Sequence, residues 1–283
     1  MTTLGSILLL CLIAAGGAYL WTRRRIAGLS KKRKKRLLKR KINSVYTWCE
    51  AKGLIARTPA FDRDYLAKYP ALKLLEDDYE SVRKECLALI GAKQNLTDVS
   101  ALGGAYTQKG IHVIKWKSFL FKSGEFIESN CNLCPKTAAI LRQIPDMDTA
   151  FFSVLDPQQY VTPHWGYYKG FVRYHLGVLI PNDNRDRNCY LRVNDDITAN
   201  SERDESAIED GEVYYWKNGE GIVFDDNYLH DAANDSNEVR VILWLDMRRK
   251  LPFYLHWFNA AVLRLVHSDE SIRKIRANAE VRI

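Results

Sequence analysis

Residues 1–41 contain no aspartate or glutamate, while 12 lysines and arginines crowd between Arg23 and Lys41. That one-sided stretch supplies the whole basic balance. The 283-residue chain carries 42 Lys+Arg against 34 Asp+Glu, and residues 42–283 keep 30 basic against 34 acidic. A basic face for nucleic acid across the domain is therefore excluded. Cysteine is sparse, six in all, which excludes a disulfide scaffold. Internal repeats and low-complexity tracts are missing after Lys41. With 47% hydrophobic, 11% aromatic and 27% charged residues, the composition fits a folded protein and rules out a disordered or collagen-like one. The length admits one large domain or two small ones.

Charge is also absent from Leu4 to Trp21, LGSILLLCLIAAGGAYLW, a run just long enough to cross a bilayer as a helix. Tyr19 and Trp21 sit where interfacial aromatics belong. No positive charge precedes the run and Arg23-Arg24-Arg25 follows it, the reverse of a secretory signal. The expectation is a single-pass membrane protein: residues 1–22 as anchor, 23–41 as a basic juxtamembrane segment, and the catalytic domain cytoplasmic. The basic segment suits anionic headgroups.

Residues 42–145 read as a mixed α/β flanking region, with helices expected over Tyr79–Ile90 and Pro135–Ile144. Residues 146–250 read as a β core. AFFSVL, GFVRYHLGVLI, NCYLRV, EVYYW, GIVFD and VRVILWLDM are rich in β-branched and aromatic residues, and Asn, Asp and Gly clusters separate them. Residues 251–283 read as a C-terminal helical segment. The fold class expected is mainly β with flanking helices, a jelly roll, plus one N-terminal transmembrane helix.

Histidine is scarce as well, six in all. His112, His256 and His267 read as ordinary core or packing histidines. His164 is followed two residues on by Gly166, which would leave space beside whatever His164 binds. Arg173 and His175 share one face of a strand, opposite Val172, Tyr174 and Leu176; burying that pair is costly unless it meets an anion. His230 follows an apolar strand and Asp225-Asp226. Arg240 shares a face with Ile242, Trp244 and Asp246, and a salt bridge at the strand's rim is its alternative reading. Two imidazoles suit a first-row transition metal such as iron, although other metals fit the pair alone. Two arginines and a further histidine suit a small dicarboxylate. Together these imply an iron oxygenase that consumes 2-oxoglutarate.

The stretches FFSVLDPQQYVTPHWG, VRYHLGVLIP, NGEGIVFDDNYLHDAAN and VRVILWLDM resemble the aspartyl/asparaginyl β-hydroxylase family, which includes peptidyl hydroxylases and bacterial lipid A hydroxylases. The resemblance runs over roughly Tyr65 to Pro252. It implies a double-stranded β-helix (jelly roll, cupin-like) that uses Fe(II), 2-oxoglutarate and O2. His164 and His230 would be the iron ligands and, with Arg240, the catalytic set. Arg173 and His175 would meet the C1 carboxylate end of 2-oxoglutarate, and Arg240 with Ser153 its C5 carboxylate.

Gly166 resembles the peptidyl branch, because lipid A hydroxylases have an aspartate there; water can then complete the metal site. Asp225 and Asp226 read as turn residues or supports of the ligands. The anchor, FDRDYLAKYPALKLLEDDYESVRKECLALI and CPKTAAILRQIP resemble the lipid hydroxylases instead. The reading favours hydroxylation of a membrane lipid acyl chain. A peptidyl Asp/Asn substrate near the membrane is the alternative, and a catalytically inactive jelly-roll binding protein the second alternative. No nucleic-acid partner is expected, and the sequence leaves the oligomeric state open. Cys131-Asn-Leu-Cys134 has no second CxxC and reads as a loop entering a helix. Asn95-Leu96-Thr97 is a glycosylation sequon without consequence in a cytoplasmic domain.

Overall fold

The computed structural model describes residues 30–92, 96–99, 115–166, 168–267 and 270–281. The expected anchor, the sequon's Asn95, His112 and Tyr167 lie outside these residues. Among the described residues no helix is long and apolar enough to cross a membrane. The chain divides into two compact units, Met1–Leu54 and Ile55–Ile283. In the first, α1 (Lys31–Ala51) begins at Ser30, whose hydroxyl accepts a hydrogen bond from Arg33 N, and takes in the basic residues Lys31 to Lys41.

The second unit is mainly β with flanking helices. Its strands are β1 (Thr97–Asp98), β2 (Trp116–Ser123), β3 (Glu125–Phe126), β4 (Met147–Leu155), β5 (Gln159–His164), β6 (Phe171–Leu179), β7 (Cys189–Asn194), β8 (Glu212–Tyr215), β9 (Gly221–Phe224), β10 (Leu229–Asn234) and β11 (Arg240–Arg248). The larger antiparallel sheet has the order β1-β2-β4-β11-β6-β9, with β3 paired to β2; the smaller runs β5-β10-β7-β8. From β4 onward the chain crosses between sheets at almost every connection, so two four-stranded faces, β4-β11-β6-β9 and β5-β10-β7-β8, lie opposite each other. That is a jelly roll.

β11 shows why the larger sheet sits where it does. Arg240, Ile242 and Trp244 face the smaller sheet, and Val241, Leu243, Leu245 and Met247 face the flanking helices. One face of the alternation is therefore wholly apolar, while the other mixes apolar with charged residues. The helical layer includes α2 (Tyr65–Lys68), α3 (Lys73–Asp77) and α4 (Tyr79–Gly91), then α5 (Glu128–Leu133) and α6 (Pro135–Leu141). α4 buries Val82, Cys86 and Leu89, one helical stripe. Its Glu85 accepts from the backbone N–H groups of Lys136 and Thr137, both at 2.8 Å, so a carboxylate from one helix caps the first turn of α6.

Cys131 and Cys134 are buried free thiols at the α5–α6 junction. Burial raises both, Cys134 to about 12, which keeps them protonated; Cys131 lies within α5 and not in the loop expected, while Cys134 caps α6. α7 (Ile197–Glu202) follows β7, and α8 (Phe253–His267) and α9 (Glu270–Ala279) close the chain.

Candidate active site

Ser153, His164, Arg173, His175, His230 and Arg240 all line one pocket between the two sheets. They come from five strands. β4 supplies Ser153, β5 His164, β6 Arg173 and His175, β10 His230, and β11 Arg240.

The two candidate ligands face each other across a strand pair. His164 and His230 are register partners of β5 and β10, beside a bulge between His230 and Ala232, and their ring centroids lie 4.2 Å apart. Both rings are held in the same way. Nδ1 of His164 lies 2.8 Å from the Thr162 carbonyl, and Nδ1 of His230 lies 2.8 Å from the Tyr228 carbonyl. A carbonyl only accepts, so each Nδ1 carries the proton and each Nε2 keeps its lone pair. Burial pushes both rings toward the neutral form, His164 to about 4. Two fixed, neutral imidazoles with free Nε2 lone pairs could hold a metal. Among the described residues no third His, Cys, Asp or Glu joins them in a metal-sized group.

The expected space beside Gly166 is filled. A Cβ built there would lie 2.0 Å from Asp226 Oδ2 and 2.5 Å from the Asp226 carbonyl oxygen. Gly166 N donates to that same carbonyl at 2.6 Å. Glycine stands at 166 because the chain segment carrying Asp226 passes against it. Asp226 in turn pairs with Arg173 Nη2 at 2.8 Å, and Asp246 pairs with Arg173 Nε at 3.0 Å. The Arg173 guanidinium also lies 3.7 Å from the Trp244 ring centroid. The anion that Arg173 requires is thus supplied by the protein itself. Asp246 was within reach of sequence reasoning, because it shares the face of β11 with Arg240 and registers with Arg173.

Arg240 differs. Among the described residues the rim salt bridge is not there: Arg240 is 3% exposed, and its Nε and Nη1 have no hydrogen-bond partner. Burial drops its pKa to about 10. The Trp216 ring centroid lies 4.6 Å from it. His175 is fully enclosed by Trp216, Phe224 and Trp244, and neither ring nitrogen has a partner. Its pKa also lies well below the usual value because of burial. Ser153 Oγ accepts from Trp116 Nε1 at 2.9 Å, which leaves the serine proton to be donated. A buried, unbalanced guanidinium, a partnerless imidazole and a hydroxyl donor together make a receptor for a small anion.

A model of aspartyl/asparaginyl beta-hydroxylase matches residues 76–250. The chain belongs to the aspartyl/asparaginyl β-hydroxylase family. It is an enzyme, a hydroxylase of the dioxygenase type. An ornithine lipid ester-linked acyl 2-hydroxylase of Rhizobium tropici is 28% identical over 235 residues, 78% of this chain and 73% of that one. The aspartate beta-hydroxylase domain-containing protein 2 of Xenopus tropicalis is 29% identical over 199 residues, 67% of this chain and 46% of its own. The Homo sapiens aspartyl/asparaginyl beta-hydroxylase is 26% identical over 196 residues, 64% of this chain but 22% of its own. The chain therefore spans most of the first relative and less than half of the other two. A Pseudomonas putida prolyl-4-hydroxylase structure gives a TM-score of 0.39 at 15% identity, covering 66% of this chain and 96% of that one, a loose likeness that adds nothing to the strand order.

Sequence reasoning missed several residues of this hydroxylase site. Trp116 orders Ser153 from the neighbouring strand. Asn200 Oδ1 accepts from both Trp165 Nε1 at 2.9 Å and Leu229 N at 2.8 Å, so it ties together the residues adjoining the two histidines. A lone asparagine in a polar loop gives no sign of that role.

Proposed function

We propose that this chain is a membrane-anchored, Fe(II)- and 2-oxoglutarate-dependent dioxygenase that hydroxylates the acyl chain of a membrane lipid. Iron(II) would sit between Nε2 of His164 and Nε2 of His230, and the residues present fit it: both lone pairs are free and both rings are neutral. When bound, the metal supplies dioxygen activation, coupled to oxidation of 2-oxoglutarate and of the substrate C–H.

The protein's own residues do the rest. Arg240 and Ser153 hold the C5 carboxylate. His175 meets the C1 end, with Arg173 beside it. Arg173 is already balanced by Asp226 and Asp246, so the pull on the dianion comes mainly from Arg240. Trp116, Trp216, Phe224 and Trp244 wall the cavity and keep water from the reacting centre. The observation that carries the cosubstrate reading is the buried Arg240 guanidinium without a hydrogen-bond partner, aimed into the same cavity as the two histidines.

For the substrate, support comes from the ornithine-lipid relative and from the uncharged run Leu4–Trp21 with its basic flank. A second reading, peptidyl Asp or Asn, draws on Gly166, where the approach of Asp226 leaves no room for the aspartate expected in lipid A hydroxylases. The test is mass spectrometry of membrane lipids from cells with the intact gene, with His230→Ala, and with neither. A lipid that gains one oxygen only with the intact gene is the expected result. Unchanged lipids in a host that makes ornithine and lipid A-type lipids would overturn it in favour of the peptidyl substrate.

A further inference from the structure

α8 is mostly apolar. Phe253, Tyr254, Leu255, Trp257, Phe258, Val262 and Leu263 leave only a few polar positions, and Leu255, Val262 and Leu263 are buried. Large aromatic residues on a helix this apolar are expected to be buried. Instead Phe253 is 78% exposed and Trp257 70% exposed. These two and the exposed Arg264 fall at i, i+4 and i+11, on one stripe. α8 contains no Asp or Glu and carries the exposed Arg264, while ahead of it Lys250 pairs with Asp146 at 2.8 Å and the buried Arg249 lies 3.6 Å from Asp225.

The opposite face of the helix holds the loop that leaves His164. Asn259 Nδ2 donates to the Gly170 carbonyl at 3.0 Å, and Tyr168 Oη donates to Asn259 Oδ1 at 2.7 Å. Arg249 N donates to the same Gly170 carbonyl at 2.9 Å, just ahead of the helix. The exposed aromatics thus stand about one helix diameter, roughly 10 Å, from the loop beside the candidate ligand.

We infer that the Phe253–Trp257 stripe of α8 is a docking surface for an anionic bilayer, one that sets the mouth of the site against the lipid. Trp and Phe tips with a basic residue on the same stripe, and no acidic residue within α8 itself, suit the headgroup region. A soluble acidic partner would have called for a charged stripe and not two aromatic tips. The inference deepens the lipid reading of the site and rests on it, but its test has a separate readout.

The full chain carrying Phe253→Cys is labelled with an environment-sensitive fluorophore and reconstituted into phosphatidylethanolamine/phosphatidylglycerol vesicles with spin-labelled lipid. The parent chain sets the background from Cys11, and Leu87→Cys, at a site 46% exposed on α4, serves as control. Trp257→Cys is the second probe if Phe253→Cys fails to fold. The expected result is blue-shifted emission quenched by the lipid spin label at 253 or 257 but not at 87. Water-like emission at 253 and 257 would overturn the inference. A blue shift that the lipid label does not quench would overturn it in favour of contact with a second copy.

In parallel, Phe253→Ser/Trp257→Ser should turn over lipid in vesicles about tenfold more slowly than the parent and equally fast in detergent micelles. Equal rates in vesicles count against docking. Lipid oxidation that survives His230→Ala counts against the lipid reading itself.

Discussion

Gly166 N donates to the Asp226 carbonyl at 2.6 Å, and Asp226 Oδ2 lies where a side chain at 166 would begin. The contact joins the segment after one candidate ligand to the turn before the other. Gly166→Ala must push Asp226 aside, which breaks its 2.8 Å pair with Arg173 and leaves the buried guanidinium paired with Asp246. Gly166→Asp would displace Asp226 in the same way and would not yield a third ligand. Both variants should bind Fe(II) or Co(II) at least about tenfold more weakly, as outer supports of metal ligands do when lost. Chelator competition measures this, and a Gly166→Asp protein with wild-type or tighter affinity would refute it.

Arg240 is held in the cavity at a cost. An uncompensated buried cation destabilises the protein when no anion is bound. Arg240→Met should therefore leave the ligand-free protein at least as stable as the parent and cripple its use of 2-oxoglutarate. Removing one side of a buried charged pair costs about 2–5 kcal/mol, so the 2-oxoglutarate KM should rise roughly thirtyfold or more. Thermal melts with and without 2-oxoglutarate check both halves: the parent should gain stability with 2-oxoglutarate, and the variant should not.

The alternation of β6 and β11 was legible because period-2 patterning sorts side chains to faces wherever one face is an apolar core. Val172, Tyr174 and Leu176 on one strand, and Val241, Leu243 and Leu245 on the other, left Arg173, His175 and Arg240 nowhere to go but the cavity. The strands that carry the candidate ligands were not legible as strands. QYVTPH has a proline and polar residues, and LHDAAN has no β-branched or aromatic residue. They are strands because β7 and each other's backbone hold them, a tertiary effect that overrides propensity. The filling of the Gly166 space was also hidden, because it depends on a residue far along the chain.

Three cavity histidines, His175 and His230 buried and His164 partly so, set the acid limit. His164, His175 and His230 all have depressed pKa values in the folded chain because of burial, His164 at about 4, against about 6.5 when unfolded. Below about 6.5 the unfolded chain binds protons that the folded one refuses. The stability of the metal-free protein should therefore be fully present above that pH and be lost as pH falls toward 4. Bound metal, which takes the Nε2 lone pairs, should deepen this dependence, because protons then compete with the metal as well. Melting temperature against pH, with chelator and with Fe(II) under argon, tests it. A metal-free profile that is flat between pH 7 and 5 would show that the rings are not buried as neutral imidazoles.

Asn200 offers the sharpest test of how the two candidate ligands are held. Its Oδ1 takes hydrogen bonds from Trp165 Nε1 and Leu229 N, and its Nδ2 donates to the carbonyls of Asn194 at 2.8 Å and Asp196 at 2.7 Å. Asn200→Ala removes the acceptor and strands a backbone N–H and an indole N–H beside His230 and His164. Asn200→Asp keeps the acceptor and loses the donors. If Asn200 positions the histidines through that oxygen, Asn200→Ala should weaken metal binding by about 10–100-fold. Asn200→Asp should recover most of the loss, although both variants lose the bonds to Asn194, at the end of β7, and to Asp196, which caps α7. A purely structural role would lower the stability of both variants and leave the Co(II) absorption spectrum of each folded protein unchanged. A shifted spectrum in Asn200→Ala, restored in Asn200→Asp, is the outcome expected of a positioning residue.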